Sequence, residues 1–227
     1  MTARTLFVTG TDTGVGKTRI AAAFIRMLVA RGVRTVGMKP VAAGADPGQL
    51  NEDVVALRAA SNVEAPLADI NPYAFDAAIA PHIAAQQAGI AIDIDTLAAA
   101  HARLAACADV VVVEGAGGWR VPLSDIAEMA DLAARLGGEV VMVVGMRLGC
   151  LNHAVLTADA IRSRGLRWAG WVANCIDPHM SNTAENLASL HSRLPGPCLG
   201  VEPHTLDARS ESTLILPSGL ASQNSQK

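Results

Sequence analysis

Charged side chains are scarce in this sequence: they make up 17% of its 227 residues, whereas 51% are hydrophobic and the net charge is -3. A membrane protein could have the same composition, but the chain has no stretch of about 18 consecutive apolar residues that could span a bilayer. Nucleic-acid binding requires a basic patch, which a slightly acidic chain is not expected to form. The composition therefore argues against a membrane protein and against a nucleic-acid-binding protein.

Cysteine pairs are also absent, because the four cysteines lie far apart and form no C-x-x-C motif. This distribution favours reduced thiols over a disulfide framework or a zinc site. The first residues contain no long apolar segment typical of a secretory signal. We therefore expect a cytoplasmic protein. The cysteines are Cys107, Cys150, Cys175 and Cys198.

Short valine-rich runs alternate with alanine-rich segments of about 10–15 residues, a pattern typical of a parallel sheet with helices on both faces. We predict a single α/β domain over residues 1–217, with a mainly parallel central sheet, and a polar, fraying tail over residues 218–227. The predicted strands are 5–9, 34–38, 109–113, 139–144, 168–174 and 198–201. The predicted helices are 17–31, a short one containing Asp53, 81–88, 93–106, 126–136, 152–164 and 182–193.

A glycine-rich segment over residues 10–18 lies between the first predicted strand and helix. Its backbone N–H groups and the helix N-terminus can bind a polyphosphate. Lys17 can reach the β- and γ-phosphates, and the Thr18 hydroxyl can ligate Mg²⁺. Thr11 stands where the strict phosphate-loop pattern begins with glycine. A simple turn with an exposed lysine is the alternative, but the flanking strand and helix favour a P-loop nucleotide site.

Lys39 and Glu114 each follow a predicted strand, and ligands of parallel sheets bind beyond such strand ends. Lys39 could neutralise charge on a transferring phosphoryl group, or it could be an ordinary surface lysine. Glu114 could hold Mg²⁺ next to the glycines that follow it. Asp53 could join it, although taken alone it reads as an acid at a helix start. The histidines show no metal-ligand spacing and no Ser-His-Asp set.

Several segments in the same order along the chain resemble those of the dethiobiotin synthetase family. They cover residues 8–13, 15–18, 39–41, 71–73, 80–82, 113–119, 122–125, 148–154 and 169–174. The resemblance extends over about residues 6–200. It implies a homodimer that converts 7,8-diaminononanoate, CO₂ and ATP into dethiobiotin, ADP and phosphate. A carbamate and a mixed carbamic–phosphoric anhydride are the implied intermediates.

The resemblance also implies residue roles. Lys17 and Lys39 would stabilise the carbamate and the transferring phosphoryl group, and Thr18, Asp53 and Glu114 would hold Mg²⁺. The implied nucleotide-binding residues are Thr13, Gly14, Val15, Gly16, Lys17, Thr18, Arg19, Asp53, Glu114, Gly115, Ala116, Gly117, Asn174, Cys175 and Pro203. The implied substrate-binding residues are Ala43 and, across the dimer interface, Gly149, Cys150, Leu151 and Asn152.

Three positions depart from the family pattern. Ala43 replaces the usual Ser or Thr near the substrate, and Cys175 stands where Asp is often found. The segment from Pro203, which would close over the base, lacks the usual apolar character. The sequence thus carries less information about base recognition than about phosphate binding.

Three other functions are compatible with parts of the pattern. A chromosome-partition or septum-placement ATPase shares the fold, but it carries an extra lysine early in the loop, where this chain has Asp12. Another amidoligase on the same scaffold is a second alternative. A nucleotide-binding module without chemistry is the third, and it would leave Lys39, Asp53 and Glu114 without a purpose.

Overall fold

A computed structural model describes residues 3–45, 48–204 and 213–221. Its strands are β1 Arg4–Gly10, β2 Thr35–Met38, β3 Val41–Ala43, β4 Tyr73–Phe75, β5 Val110–Glu114, β6 Glu139–Met146, β7 Arg167–Cys175 and β8 Cys198–Glu202. Its helices are α1 Lys17–Val29, α2 Glu52–Ala60, α3 Leu67–Ile70, α4 Pro81–Gln87, α5 Ile94–Cys107, α6 Met129–Leu136, α7 Cys150–Ser163, α8 Thr183–Arg193 and α9 Ser218–Ala221.

The main sheet of the described chain has six parallel strands in the order β2-β5-β1-β6-β7-β8. The order confirms the predicted α/β class, since parallel neighbours require helical crossovers. β1 lies inside the sheet between β5 and β6, so the loop that follows β1 lies beside the ends of both neighbours. A second sheet, which the sequence did not predict, pairs β3 with β4.

Helices cover both faces of the main sheet because side chains alternate along each strand. Leu6 and Val8 of β1 pack with α1, α2 and the segment 213–221, whereas Phe7 faces the opposite cluster with α5, α6, α7 and α8. β5 shows the same alternation, with Val110 and Val112 on the first face. All these side chains are at most 1% exposed, so the valine runs are strands buried on two sides.

Both edges of the main sheet are covered. Along β2, the Thr35 N–H donates to the Asn62 side chain (2.8 Å) and the Gly37 N–H donates to the Ser61 hydroxyl (2.9 Å). Along β8, the Leu199 carbonyl accepts a hydrogen bond from the Ile215 N–H (2.8 Å). Backbone groups that would otherwise be open to another strand are therefore occupied.

Several element bounds differ from the prediction for identifiable reasons. The helix predicted from residue 126 begins at Met129, because Glu128 forms an isolated bridge with Pro122 and caps the helix together with Asp131. Pro40 does end β2, but the chain resumes as β3 immediately afterwards. The seventh helix begins at Cys150, two residues earlier than predicted.

The predicted polar tail differs from the structure at its first four residues. Ser218–Ala221 form the short helix α9, and Leu220 is buried against the α1 face of the sheet. Residues 222–227 lie outside the described part of the chain. Among the described residues, no helix is both long and apolar enough to cross a membrane.

Candidate active site

The phosphate loop, residues 10–18, is fixed to the middle of the sheet. The Thr11 N–H donates to the Val143 carbonyl of β6 (3.0 Å). The Asn174 side-chain amide donates to the Val15 carbonyl (2.8 Å), and Gly16 has φ +87°. A Cβ at residue 16 would lie 2.1 Å from the Asn174 amide nitrogen. The loop and the end of β7 can approach this closely because residue 16 is glycine.

Lys17, near the end of this loop, is the first residue of α1, so the strand–loop–helix arrangement predicted from the sequence is present. Its Nζ donates to the Asp12 carbonyl (2.9 Å), and the Asp12 carboxylate pairs with Arg147. Burial and the nearby charge of Lys39 lower the pKa of Lys17 to about 8. Lys17 thus folds back along its own loop.

Lys39, Asp53 and Glu114 meet beside the phosphate loop. The Lys39 Nζ lies 2.6 Å from Asp53 Oδ2 and 2.6 Å from Glu114 Oε1. The Thr18 hydroxyl donates to Asp53 Oδ1 (2.6 Å) and lies 2.9 Å from Glu114 Oε1. Lys39 directly follows β2, Glu114 is the last residue of the neighbouring β5, and Asp53 lies in the first turn of α2. Adjacent parallel strands therefore bring distant residues of the chain together.

Burial and charge act in opposite directions on these groups. Burial alone would lower the pKa of Lys39, but Glu114 and Asp53 outweigh it and raise that pKa above its usual value. Burial would raise the pKa of Asp53, yet the adjacent Lys39 holds it below the usual range. Burial raises the pKa of Glu114 although Lys39 opposes the shift. The ammonium group of Lys39 therefore favours the ionised form of both carboxylates.

A magnesium ion fits the ligands that the site offers. Thr18, Asp53 and Glu114 supply a hydroxyl and two carboxylates, the oxygen ligands that Mg²⁺ prefers. Within the described chain, Glu114 Oε2 is buried and has no hydrogen-bond partner, so one ligand oxygen is available. No group of three or more His, Cys, Asp or Glu side chains with metal-site geometry occurs among the described residues. Substrate phosphates would have to complete the coordination.

A cavity of about 720 Å³ opens onto this cluster. Eleven predicted site residues line it: Thr13, Gly14, Gly16, Lys17, Thr18, Lys39, Ala43, Asp53, Glu114, Ala116 and Gly117. The sequence analysis assigned no role to the other lining residues, which are Val41, Ala78, Ile79, Ala80, Pro81, Val121 and Pro122. Four of these, Val41, Ala80, Pro81 and Pro122, belong to segments that carry the family resemblance, so the sequence could have pointed to them. Val121, Ala78 and Ile79 do not. The missed sheet β3–β4 brings the loop with Ala78 and Ile79 to the site.

Four predicted nucleotide-binding residues lie around the end of β7 and α1 rather than on the cavity wall. Arg19 donates to Glu202 (3.1 Å) and to the Pro203 carbonyl (3.1 Å). Asn174 holds Val15, and its Oδ1 is buried without a partner in the described chain. Cys175 follows at the end of β7, and burial raises the pKa of its thiol. Of the segment predicted to close over the base, residues 205–212 lie outside the described residues.

Two other predicted nucleotide-binding positions, Val15 and Gly115, lie against the core. Val15 is 1% exposed, and a Cβ at Gly115 would contact Phe7 and Met129 at 3.2–3.3 Å. Only the backbone of either position is suited to meet a nucleotide.

The turn that was predicted to bind substrate, Gly149 to Asn152, does not line the cavity of its own chain. Cys150 is 1% exposed and packs in the core, because α7 begins there and turns this side chain toward the sheet. Its backbone, rather than its side chain, is therefore the part that could serve the predicted substrate contact, which stays a prediction. Gly149 and Asn152 are exposed.

Comparisons with known proteins agree with this geometry. A family model described as an AAA domain matches residues 4–212. The chain is 51% identical over 217 residues to the ATP-dependent dethiobiotin synthetase BioD of Xylella fastidiosa, covering 94% of this chain and 96% of that protein. It is 52% identical over 211 residues to the enzyme of that name from Nitrosospira multiformis, covering 92% and 93%.

A crystal structure of a ParA family ATPase from Chlorobium tepidum superposes with a TM-score of 0.54 at 15% identity, covering 90% of this chain and 85% of that one. Identity at this level shows a shared fold and no more. The relatives at half identity over nearly the whole length decide the family. The chain belongs to the ATP-dependent dethiobiotin synthetase family.

Proposed function

We propose that this chain carries out the Mg²⁺-dependent step of biotin biosynthesis in which 7,8-diaminononanoate, CO₂ and ATP give dethiobiotin, ADP and phosphate. The observation that carries the proposal is the meeting of Lys17, Lys39, Asp53 and Glu114 at the mouth of a phosphate loop. The similarity to named synthetases over more than nine-tenths of the chain supports the same reaction.

In this reaction one substrate amine takes up CO₂ as a carbamate, whose oxygen attacks the γ-phosphate. The second amine then attacks the carbonyl carbon of the mixed anhydride, closes the ring and expels phosphate. No covalent bond to the protein is required, so positioning and charge stabilisation must provide the rate enhancement. Lys39 and Lys17 are the cations placed to stabilise the carbamate and the transferring group.

Mg²⁺, held by Thr18, Asp53 and Glu114, would neutralise charge on the β- and γ-phosphates. The apolar part of the cavity wall suits a substrate with an aliphatic chain, such as the diamine. Val41 and Val121 lie beside the charged cluster and could contact the aliphatic chain of the diamine. Ala43 also lines this wall, so a hydroxyl contact usual in the family is missing there.

A homodimer in the cytoplasm is part of the proposal. The turn at residues 149–152 is exposed apart from the Cys150 and Leu151 side chains and lies off the cavity of its own chain. A second copy could therefore bring the beginning of its α7 to the carboxylate end of the substrate, where helix N–H groups favour an anion. All four cysteines are free thiols in the described chain, which suits a reducing compartment.

A product assay by mass tests the function. Purified protein is incubated with diaminononanoate, ¹³C-bicarbonate, ATP and Mg²⁺, and the cyclic urea is expected to carry the label. ADP should form only when the diamine, bicarbonate and Mg²⁺ are all present. Steady ADP formation without the diamine would favour a partition-type ATPase. If a labelled product forms only when a different amine replaces diaminononanoate, the chain is another amidoligase.

A further inference from the structure

Lys39 occupies the space between the two carboxylates of the candidate site. Its Nζ lies 2.6 Å from an oxygen of Asp53 and 2.6 Å from an oxygen of Glu114, and its side chain is 5% exposed. Both carboxylates thus neutralise the ammonium charge at contact distance. An ammonium group held in this way can give little of its charge to a phosphate or a carbamate.

The backbone of Lys39 is fixed on both sides. Its N–H donates to the Ile70 carbonyl (2.8 Å), and its own carbonyl accepts a hydrogen bond from the Asn71 side chain (2.7 Å). The end of β2 is therefore held in place. The flexible four-carbon side chain is what can relocate the ammonium group.

The carboxylates are incompletely satisfied in this arrangement. The Thr18 hydroxyl has one hydrogen, which can serve Asp53 or Glu114 at any moment but not both. Glu114 Oε2 is buried and lacks a partner in the part of the chain that the structure describes. A buried carboxylate oxygen without a donor is unfavourable. This pair of carboxylates is therefore arranged to receive more positive charge than one lysine supplies.

We propose that Lys39 is the resident cation of the Asp53–Glu114 pair in the metal-free protein and that an incoming divalent cation displaces it. The ammonium group and the metal compete for the same two carboxylates, and two positive ions in contact repel each other strongly where water is excluded. Displacement frees the charge of Lys39 for the phosphate and the carbamate. The inference rests on the proposed function only for the identity of these two groups.

The two carboxylates, Asp53 and Glu114, and the two lysines, Lys17 and Lys39, sum to zero formal charge. A permanent ion pair between Lys39 and Glu114 is the competing description. In that case the lysine keeps its position throughout, and the metal binds elsewhere on the carboxylates.

Binding of Mn²⁺, a paramagnetic replacement for Mg²⁺, separates the two descriptions. The affinity of the nucleotide-free protein for Mn²⁺ is measured by electron paramagnetic resonance for the wild type, Lys39→Met and Lys17→Met. Removing a competing unit charge at contact distance should raise the affinity of Lys39→Met at least about tenfold. Lys17→Met, which removes a nearby ammonium bonded to a carbonyl, should gain no more than about threefold. Unchanged or weaker binding by Lys39→Met, or equal gains in both variants, overturns the proposal.

A measurement on the wild-type protein covers the case in which Lys39→Met fails to fold. The ¹⁵Nζ resonance of Lys39 is followed by NMR with ADP and EDTA, and then with ADP and excess Mg²⁺. The resonance should shift only when Mg²⁺ is present. A resonance that stays at its metal-free position in saturating Mg²⁺ and ADP contradicts displacement. Neither measurement contains diamine or bicarbonate, so their outcomes are independent of whether dethiobiotin forms.

Discussion

Lys17 and Lys39 differ in the groups that contact their ammonium nitrogens, and this difference bears on their proposed roles. Lys17 bonds to a carbonyl of its own loop and its pKa is lowered to about 8 by burial, then by Lys39. Lys39 bonds to two carboxylates, which raise its pKa. Two lysines that face the same nucleotide site therefore start from opposite electrostatic situations. In the proposed reaction Lys17 would meet the phosphates directly, whereas Lys39 would first leave its carboxylate partners.

We expect Lys39→Met to lower turnover at least about 100-fold, the scale for losing one preorganised charge in a transition state. The variant keeps the aliphatic volume but leaves Glu114 without its buried partner, so its stability should fall by about 3–5 kcal/mol. Dethiobiotin formation is measured by mass at saturating substrates and Mg²⁺. Arg58→Met, which removes an exposed cation from α2, serves as the control. Wild-type turnover in Lys39→Met would remove this lysine from the reaction.

Gly16 and Gly14 provide a matched pair in the phosphate loop. Both have positive φ, +87° and +72°, so alanine strains either backbone in a similar way. A Cβ at residue 16 would lie 2.1 Å from the Asn174 side chain, but one at residue 14 would meet nothing within 4 Å. Gly16→Ala should weaken ATP binding at least about tenfold more than Gly14→Ala, as measured by calorimetry. Equal losses would show that backbone strain alone matters.

The sequence could predict residues whose chemistry is marked by spacing. Lys17 and Thr18 follow from the phosphate-loop pattern, and Glu114 follows from a strand that ends in an acid before glycines. It could not predict the Ala78–Ile79 part of the wall, because this loop reaches the site through a three-residue sheet too short to leave a pattern. Nor could it predict that Cys150 faces the core, which depends on where α7 begins.

Among the elements, α5 is joined to β1 by a buried polar contact. His101 of α5 lies 3.0 Å from the Thr5 hydroxyl of β1, and burial lowers the pKa of His101 below its usual value. The folded protein therefore resists protonation that the unfolded chain accepts near pH 6.5. The associated stability is present above about pH 6.5 and is lost as the pH falls through the lower pKa of the folded state.

We expect the urea midpoint to drop between about pH 7.5 and about pH 5, and to drop less in His101→Gln. His179→Gln, which changes an exposed histidine, should keep the wild-type difference. Unfolding is followed by circular dichroism at both pH values. If His101→Gln shows the same drop as the wild type, other groups cause the pH dependence.

Sequence patterns located the strands better than they located the first residues of the helices. Short apolar runs identified the six strands of the main sheet, most clearly the valine-rich β5 and β6, because strands buried on both faces leave an unbroken apolar signal. Helix starts were less well defined. α6 begins three residues late because Glu128 and Asp131 form a cap that only the three-dimensional arrangement reveals.

The proposed substrate contact of the turn before α7 requires a second copy of the chain, because this turn does not line the cavity of its own chain. Leu148 in this turn is 95% exposed. We expect the wild type to have twice the chain mass of 23.4 kDa in light scattering. Leu148→Asp should give single chains that bind ATP but form little dethiobiotin.

Ile90→Asp changes an isoleucine that is 46% exposed and is expected to leave both the mass and the activity unchanged. A fully active single chain of Leu148→Asp would show that each copy contains a complete site.

The covered sheet edges restrict how copies of this molecule can associate. Side chains of Asn62 and Ser61 occupy the backbone donors of β2, and the segment containing Ile215 occupies β8. These backbone groups of the main sheet are not open to a strand of another molecule, so growth of this sheet by strand addition at these positions is disfavoured. Association is left to helices and turns, whose contacts can close around a twofold axis and stop at two copies.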